Sequence, residues 1–454
     1  MKKSLYSQAV DRRSALKIGA ASAAALGAGR QVAAMAQDAT PAASPTTGGD
    51  FGLADLQVEG DVEIEYWQYE FASKTDLVNE LIPEFEAANP GIKIKHVNFP
   101  YEDFIQQVAA AVQAGEGPDV LNVYFGWIPA YVQQQFLAPL NPEWFPHEEI
   151  ESAFFPTIAA AKVKDDYYAL PTAVRTLALF CNMDLLDAAG IAPPTNWDEL
   201  VEAAKATTVK DGEKFEIVGF TYDLAGQGHN WWREALIRQA GGEPSTDDNR
   251  TLQWTSPEGV EAFNYLISFL TEHGVTESGF QTDGQTAFGS GKAALHVDGS
   301  FRVGTYAANA PDLNYQIVPL PEYKEKASFA SFWCNTITRN AAEGDKAIAS
   351  AKWIDFLASA DVMKRWTPAV GELPARVALA EDPALLENPK VAPFIESLPY
   401  SYATFMVNEA DLRQAVLDAF DNVVLAGLDP EAALQEAQDK IQAQLDEYWA
   451  ALDA

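Results

Sequence analysis

Residues 62–123 read VEIEYWQYEFASKTDLVNELIPEFEAANPGIKIKHVNFPYEDFIQQVAAAVQAGEGPDVLNV, and this stretch indicates the fold class. Apolar and acidic residues alternate at its start, as in a half-buried strand, and a helical pattern capped by Thr75 follows. Strands and helices are then expected in alternation at 62–66, 75–88, 92–97, 102–114 and 120–123. This β-α-β-α-β order predicts an α/β fold with a mostly parallel sheet and helices on both faces.

A similar pattern returns after residue 180. Asn196 with Glu199 forms a capping box, and Ser256 followed by Pro257 is typical of a helix start. The last third is expected to be mostly helical, at about 341–359, 408–426 and 430–452. With 454 residues, the chain is too long for one ordinary core, so two similar α/β lobes are predicted.

Charge and cysteine content exclude several classes of protein. The formal net charge is −34, which repels phosphate backbones and anionic lipid head groups. We therefore expect no nucleic acid and no membrane surface as partners. Cys181 and Cys334 both lie in apolar, strand-like runs, so we expect two buried free thiols, with a bridge between them as the alternative.

The first 36 residues have the layout of a signal peptide. A polar start with Arg12-Arg13 is followed by an Ala-rich run and by Ala34-Met35-Ala36, a small-x-small cleavage pattern. The arginine pair resembles a twin-arginine leader. Residues 37–60 are rich in Ala, Thr, Pro, Ser and Gly and are expected to form a flexible linker. The protein is accordingly expected to be exported, to the periplasm or the outer face of the cytoplasmic membrane.

Eight short motifs occur along the chain in a recognisable order: FEAANPGI (85–92), GPDV (117–120), NMDLLDAAGI (182–191), PPT (193–195), WDEL (197–200), GSGKAAL (289–295), DGSF (298–301) and GELPAR (371–376). Together they resemble bacterial extracellular solute-binding proteins of family 1, to which maltose-binding protein belongs. The motifs occur in the order found in that family, and the resemblance spans residues 62 to 450, nearly the whole mature chain.

The resemblance implies a two-lobed periplasmic-binding-protein fold of type II, with two α/β domains joined by crossover hinge strands. Carried over, the crossovers fall near 172–175, 297–299 and 335–338. The expected N-terminal lobe is 61–172 plus 298–335, and the expected C-terminal lobe is 175–296 plus 338–454. The implied function is capture of a sugar by hinge closure, as the monomeric binding subunit of an ABC importer with permease and ATPase partners.

Candidate ligand residues follow from what a sugar presents: hydroxyls around its edge and an apolar C–H face. Such a ligand needs planar polar side chains and flat aromatic rings, placed where loops leave the strand ends. The alternatives are a packed core for the aromatic residues, including one of the two adjacent tryptophans, and a plain helix cap at Asp298. The candidates that follow the first and third strands are Trp67, Tyr69, Glu70 and Trp127. Trp231 and Trp232 lie in a loop-to-helix turn, Asp298 and Ser300 lie at a crossover where backbone N–H groups are expected to meet a ligand, and Trp333 lies near another crossover. The resemblance adds Glu372 and Arg376, which match a family loop that approaches the cleft, with Arg175 beside them.

Other features favour structural roles and argue against catalysis. Trp197, Trp353 and Trp449 lie at helical core spacing. No phosphate loop or nucleophile elbow occurs, and the five histidines are scattered without metal spacing, so no catalytic residue, metal or cofactor is expected. Paired carboxylates of a secreted glycosidase stay open as a rival, as do a polyol, a glycerol phosphate derivative or a quaternary amine as ligand.

Overall fold

The computed structural model describes residues 49–453, and the predicted signal peptide at 1–36 lies outside them. The strands are β1 (Val62–Tyr69), β2 (Ile92–Phe99), β3 (Val120–Tyr124), β4 (Leu137–Ala138), β5 (Lys162–Val163), β6 (Asp166–Tyr167), β7 (Ala169–Asn182), β8 (Val209–Asp211), β9 (Lys214–Thr221), β10 (Ala293–Gly299), β11 (Tyr315–Val318), β12 (Ser328–Thr338), β13 (Leu373–Pro374) and β14 (Ser401–Tyr402).

Helices alternate with these strands in the first half of the chain and dominate its last third. They are α1 (Ala72–Ala88), α2 (Tyr101–Ala114), α3 (Ile128–Gln133), α4 (His147–Ala153), α5 (Met183–Ala189), α6 (Trp197–Thr207), α7 (Gln227–Gln239), α8 (Pro257–Thr271), α9 (Gly284–Gly289), α10 (Arg302–Asn309), α11 (Gly344–Leu357), α12 (Ala360–Val370), α13 (Pro383–Leu386), α14 (Ala392–Ser397), α15 (Glu409–Val424) and α16 (Pro430–Asp453).

Local signals in the sequence explain where several helices begin. The side chains of Asn196 and Ser256 accept hydrogen bonds from backbone N–H groups of the first turns of α6 and α8. Gly115 ends α2 at φ 65°, a left-handed conformation that costs glycine little. Helix α1 starts at Ala72, three residues before the expected cap at Thr75, and it continues through Pro83.

Two α/β lobes share the long strand β7. Strands β2, β1 and β3 are parallel neighbours, and β12 then pairs antiparallel with both β3 and the first half of β7. The second half of β7 pairs with β10, which continues to β9 and β8. The partner of β7 changes from β12 at Thr176 to β10 at Leu177. The sheet is mixed where a mostly parallel one was expected, because β12 and β7 run antiparallel to their neighbours.

The lobe boundaries differ from those expected. Strand β11 pairs with the second half of β7, so residues 302–318 belong to the second lobe and not to the first. Helices α11 and α12 pack against β1 and α1, so residues 344–370 belong to the first lobe and not to the second. The sequence motifs mark crossovers but carry no signal for the side of the molecule on which a following helix packs.

Tryptophans 197, 353 and 449 are core residues, as predicted. Trp353 is fully buried against Tyr66 and Phe85, and Trp197 is stacked between Tyr265 and Tyr323. Cys181 and Cys334 are both buried and free, which confirms the expected thiols.

The segment directly before β1 is packed, although a flexible linker was expected up to residue 60. The Phe51 ring lies 5.3 Å from Phe145 and 6.3 Å from Phe154, and its N–H donates to Asp355. Leu53 is buried. The sequence has four large apolar residues here, Phe51, Leu53, Leu56 and Val58, but their spacing does not indicate which distant residues they contact.

Replacing Phe51 by Ala should lower the free energy of unfolding by about 2 kcal/mol, because the ring fills a partly buried aromatic site. Urea unfolding of the variant and the wild type measures the difference. Phe71→Ala is the control, since that ring is 47% exposed and its loss should change stability by less than about 0.5 kcal/mol. Equal losses for both variants would contradict the packing described.

Candidate functional site

The most aromatic region of the first lobe lies where β1 and β3 end. Tyr69 is the last residue of β1 and Tyr124 the last of β3. Strand β12 runs antiparallel to β3, and its register places Trp333 directly opposite Tyr124. Trp127 follows in the short helical turn after β3. The sheet topology thus brings together rings that are up to about 260 positions apart in the chain.

These rings form one cluster, called here the aromatic cluster: Tyr69, Tyr101, Tyr124, Trp127 and Trp333. Trp333 is at its centre, with ring centroids 4.4 Å from Tyr69, 5.5 Å from Trp127, 6.0 Å from Tyr124 and 6.4 Å from Tyr101. Trp127 is partly exposed and Tyr101 is 40% exposed, so the cluster reaches the surface. Tilted rings at these distances form a rigid apolar wall.

Residues of the second lobe face this cluster. Trp231 on α7 stacks on Phe329 of β12, with centroids 5.7 Å apart and planes 11° apart. Burial raises the pKa of Tyr124 far above its ordinary value, and the nearby Trp231 side chain acts against this shift. Phe301, just after β10, lies 6.5 Å from Trp231 and 5.4 Å from the Arg175 guanidinium. The interface between the lobes, called here the cleft, is therefore lined by aromatic residues of both lobes.

A buried ion pair supports the aromatic cluster. Arg175 on β7 donates to Glu372 through Nε at 2.8 Å and through Nη2, and Nη2 also reaches the Tyr69 hydroxyl at 3.4 Å. The Trp366 indole donates to the other Glu372 oxygen at 2.8 Å. Burial alone would raise the pKa of Glu372, but Arg175, Lys74 and these hydrogen bonds outweigh it and lower the pKa. Glu372 is thus an anion that fixes Arg175 against Tyr69.

Two buried hydroxyl groups beside the cleft make no hydrogen bond of good geometry among residues 49–453, although the Trp231 side chain lies close to one of them. They are Tyr124 Oη in the first lobe and Ser300 Oγ in the second. A buried hydroxyl without a partner is unfavourable, because it has lost its hydrogen bonds to water and makes none with the protein in their place. Such groups are therefore suited to a ligand that supplies donors and acceptors.

Trp67 and Glu70 are placed differently from the rest of the candidates. Strand β1 extends to Tyr69, so Trp67 lies within it and not after it. The Trp67 ring packs at 5.0 Å on Phe99, and its N–H donates to Glu65. Glu70 is exposed at the end of the strand, with its backbone N–H bonded to Phe99. Both lie on the β2 side of β1, outside the aromatic cluster.

Trp232 and Asp298 are engaged in internal contacts. Trp232 is 2% exposed and packs on Phe220 and Tyr222 in the core of the second lobe. Of the adjacent tryptophans 231 and 232, one is therefore a core residue, which was the alternative to a ligand contact. Asp298 accepts hydrogen bonds from Arg302 at 2.7 Å and from Gly299 N–H at 2.7 Å.

The backbone donors expected to face a ligand at Asp298–Ser300 are also occupied. Gly299 N–H is bonded to Asp298, and Ser300 N–H donates to the carbonyl oxygen of Thr176 at 3.0 Å. The next helix, α10, begins only at Arg302. Of this segment, the Ser300 hydroxyl is the group left to meet a ligand.

Arg376 lies with the N-terminal segment and not at the cleft. Its Nε donates to the carbonyl oxygen of Ala358 at 2.6 Å and is 3.1 Å from Asp50, and its guanidinium covers Phe51 and Phe154. The motif GELPAR (371–376) carries both Glu372 and Arg376. In the folded chain Glu372 contacts Arg175, whereas Arg376 contacts Phe51, and the sequence of the motif does not indicate this separation.

Sequence analysis missed Lys74 and Tyr101. Lys74 lies in the first turn of α1, where a lysine is usually a solvated surface residue, and nothing in its neighbourhood predicts burial. Tyr101 follows Pro100 directly after β2, so the rule that found Tyr69 and Trp127, an aromatic residue after a strand, could have found it.

Two features are absent from the described part of the chain, a metal-binding group and a membrane-spanning helix. Residues 49–453 contain no group of three or more His, Cys, Asp or Glu side chains placed to hold a metal ion. Over the same residues, no helix combines the length and the apolar character that crossing a bilayer requires.

The cleft and the two lobes define a class of protein that encloses a small molecule between domains, and comparison with known proteins agrees. The profile of the family described as "Bacterial extracellular solute-binding protein" matches residues 80–393. The galactooligosaccharide-binding protein of Bacillus subtilis is 26% identical over 396 residues, covering 84% of this chain and 89% of the relative.

Solved structures of the same fold align over most of the chain. The cyclic alpha-maltosyl-1,6-maltose binding protein of Arthrobacter globiformis superposes with a TM-score of 0.75 at 22% identity, covering 86% of this chain and 100% of that one. The sugar-binding protein MalE of Xanthomonas citri gives 0.75 at 21% identity, with 86% and 99% covered. The chain belongs to the bacterial extracellular solute-binding protein family.

Proposed function

We propose that this protein is the exported substrate-binding subunit of an ABC importer and that it binds a sugar or oligosaccharide between its lobes. The sugar is released unchanged to a permease, whose partner ATPase drives import. The protein acts as a monomer, and it carries out no catalysis of its own.

The aromatic cluster is the observation that carries the proposal. Trp333, Tyr69 and Trp127 offer flat apolar surface for the C–H face of a sugar ring. The Tyr124 and Ser300 hydroxyls, which make no hydrogen bond of good geometry among the described residues, offer hydrogen bonds to its edge from the two lobes. A sugar satisfies both requirements at once.

Known relatives support the ligand class. The Bacillus subtilis relative is named for galactooligosaccharides, and the Arthrobacter globiformis structure for a cyclic maltosyl-maltose. Both names describe ligands of more than one sugar ring. Together with an aromatic wall that reaches from buried Trp333 to exposed Tyr101, this favours an oligosaccharide over a single ring.

Binding is proposed to proceed by hinge closure. Trp333 and Trp231 are only 8% and 7% exposed, so a ligand needs the lobes to separate before it can reach them. Strand β7 is the natural hinge, because its pairing changes lobe between Thr176 and Leu177. A ligand that contacts both lobes shifts the equilibrium toward the closed form.

Cations close to the rings weigh against a quaternary amine as ligand. Lys74 Nζ lies 4.5 Å from the Tyr69 ring centroid and 5.3 Å from that of Trp333, and Arg175 lies 5.4 Å from Phe301. A cationic ligand at these rings would be repelled by Lys74 and Arg175. It would also gain less cation–π attraction, because the rings already make that interaction with these two side chains.

A thermal-shift screen of residues 37–454 tests the proposal. The panel consists of galacto-, malto- and arabino-oligosaccharides, their monosaccharides, polyols, glycerol phosphate and quaternary amines. We expect a saccharide to stabilise the protein by about 2.7 kcal/mol at a concentration of 100 Kd. The matched control is Trp333→Ala, whose stabilisation at the same saccharide concentration should fall to about 0.4 kcal/mol.

Two outcomes would contradict the proposal. One is stabilisation by a quaternary amine or glycerol phosphate with no response to any saccharide. The other is steady product release from a chromogenic glycoside at a rate proportional to the protein concentration, which would identify a glycosidase.

A further inference from the structure

Lys74 is a charged residue in an unusual place, inside the first lobe directly behind the aromatic cluster. It is 1% exposed, and its ammonium group donates one hydrogen bond of 2.7 Å, to Asn122 Oδ1. Around it are the rings of Tyr69 at 4.5 Å, Trp333 at 5.3 Å and Trp366 at 5.9 Å from Nζ. A buried ammonium normally has a carboxylate partner or several hydrogen bonds, and this one has one amide and three ring faces.

The acceptor for Lys74 is held in a fixed orientation. Asn122 Nδ2 donates to Asn335 Oδ1 at 3.0 Å and to the carbonyl oxygen of Cys334 at 3.2 Å, so its oxygen must face Lys74. Asn335 is itself fixed by Thr172 at 2.9 Å and by the Tyr66 hydroxyl at 3.0 Å. This chain of amides crosses from β3 through β12 to the hinge strand β7. The position of the ammonium is therefore determined by the sheet and not by chance packing.

We propose that Lys74 is a positioning residue for the ligand platform: its ammonium holds the Tyr69 and Trp333 rings from behind and couples sugar affinity to its own protonation. This inference depends on the proposed function only for the identity of the ligand, a sugar. When Lys74 is charged, both rings are attracted to a cation fixed on the sheet. When it is neutral, that attraction is lost and the two rings are held by packing alone.

The charged and titratable groups that face Lys74 come from several elements. Burial lowers the pKa of Lys74 to about 7, with Glu372 opposing this shift and Arg175 on β7 adding to it. On β2, burial and then Lys74 lower the pKa of His96 to about 4, and on β1 burial raises that of Tyr69 to about 12.

The remaining neighbours keep one charge state near neutral pH. Burial raises the pKa of the Cys334 thiol on β12 far above its ordinary value. The pKa of Glu372 is lowered and that of Arg175 is raised, so these two stay an anion and a cation. Between pH 6 and 8, Lys74 is therefore the group of this set that changes charge.

Intrinsic tryptophan fluorescence without any ligand is the first test. Titration of the wild type from pH 5.5 to 8.5 should show a transition near pH 7, since an ammonium beside Trp333 and Trp366 perturbs indole emission. The transition should be absent in Lys74→Met and in Lys74→Arg, the second of which keeps a charge that does not titrate in this range. A wild type without a transition, or an equal transition in all three proteins, would overturn the proposal.

Ligand affinity is the second test, with the oligosaccharide that gives the largest thermal shift as the probe. Wild-type affinity should fall about fivefold from pH 6 to pH 8, while Lys74→Met should bind with the weaker affinity at both values. Lys74→Arg should keep one affinity across the range. A pH profile of Lys74→Met identical to that of the wild type would overturn the coupling.

The two tests separate this inference from the proposed function. A fluorescence transition that depends on Lys74, in a protein that binds no saccharide, would support the placement of Lys74 and reject the sugar ligand. Circular dichroism at both pH values controls for folding, and Lys95→Met, an exposed lysine on β2, is the matched control that should leave the transition intact.

Discussion

Trp333→Ala should weaken binding of the oligosaccharide about 100-fold, the largest effect on affinity of any single substitution in the cleft. Trp333 is 8% exposed and is in ring contact with every other member of the aromatic cluster, so its removal takes away the central stacking surface. Truncation of a central, desolvated tryptophan at a binding site typically costs 2 to 4 kcal/mol, or about 30- to 1,000-fold. Isothermal titration calorimetry measures the change.

Because Trp333 is also part of a core, calorimetry must show full stoichiometry of active protein, which separates lost affinity from lost fold. Trp144→Ala is the control: this ring is also partly buried in the first lobe but makes no ring contact with the cluster, so affinity should stay within twofold. If Trp333→Ala binds with an affinity within threefold of the wild type, the aromatic cluster is not part of the binding site.

Glu372→Gln should lower the free energy of unfolding by about 3 to 5 kcal/mol. The substitution leaves the buried Lys74 and the Arg175 guanidinium, whose side chain is 22% exposed, without the anion that compensates them. Breaking one partner of a buried ion pair is costly because the other charge has no water to return to. Urea unfolding measures the loss.

Two comparisons make this prediction specific. Glu86→Gln breaks the exposed pair with Lys93, whose side chain is 64% exposed, and should cost less than about 1 kcal/mol. The double change Arg175→Met with Glu372→Leu should recover part of the loss, because it removes both charges. A cost for Glu372→Gln no larger than that for Glu86→Gln would contradict the account of the buried pair.

The pH dependence of stability has a defined sign for the same residue. The pKa of Glu372 is lower in the folded protein than in the unfolded chain, so its contribution is present above the ordinary carboxyl pKa. It is lost as pH falls through the lowered value. The wild type should therefore lose its advantage over Glu372→Gln on acidification.

Local chemistry made much of the fold predictable. The caps at Asn196 and Ser256, the glycine after α2 and the three helices of the last third are where the sequence indicated them. These signals act within one turn of a helix, so neighbouring residues suffice to detect them. Helix α12 was missed because Pro368 and Gly371 near its end suggest a loop.

Long-range pairing was harder to predict. The assignment of 302–318 and 344–370 to lobes depends on which edge of β7 a later strand joins and on which layer a helix covers. Neither is encoded by periodicity, which reports the buried face of an element but not its partner. The packed segment at Phe51 and Leu53 was missed for the same reason.

The candidate site shows the same difference between local signals, which were predictable, and long-range contacts, which were not. The rule that ligands lie where strands end brought out Tyr69 and Trp127, and nearness to an expected crossover brought out Trp333. The structure places these three residues together. The same rule misplaced Trp67 because the end of β1 was predicted three residues too early. The burial of Lys74 and the inward orientation of the Glu372 carboxylate could not be predicted. Both depend on contacts between β1, β3, β7, β12 and α12 that exist only once the lobe is assembled.

A crystal structure of the mature protein with the tightest-binding oligosaccharide of the panel tests the central claim most directly. We predict a sugar ring lying flat against Trp333 with its edge hydroxyls within hydrogen-bond distance of Tyr124 Oη and Ser300 Oγ, one group from each lobe. A saccharide bound outside the cleft, with Trp333 and Trp231 still packed as they are without ligand, would contradict the account.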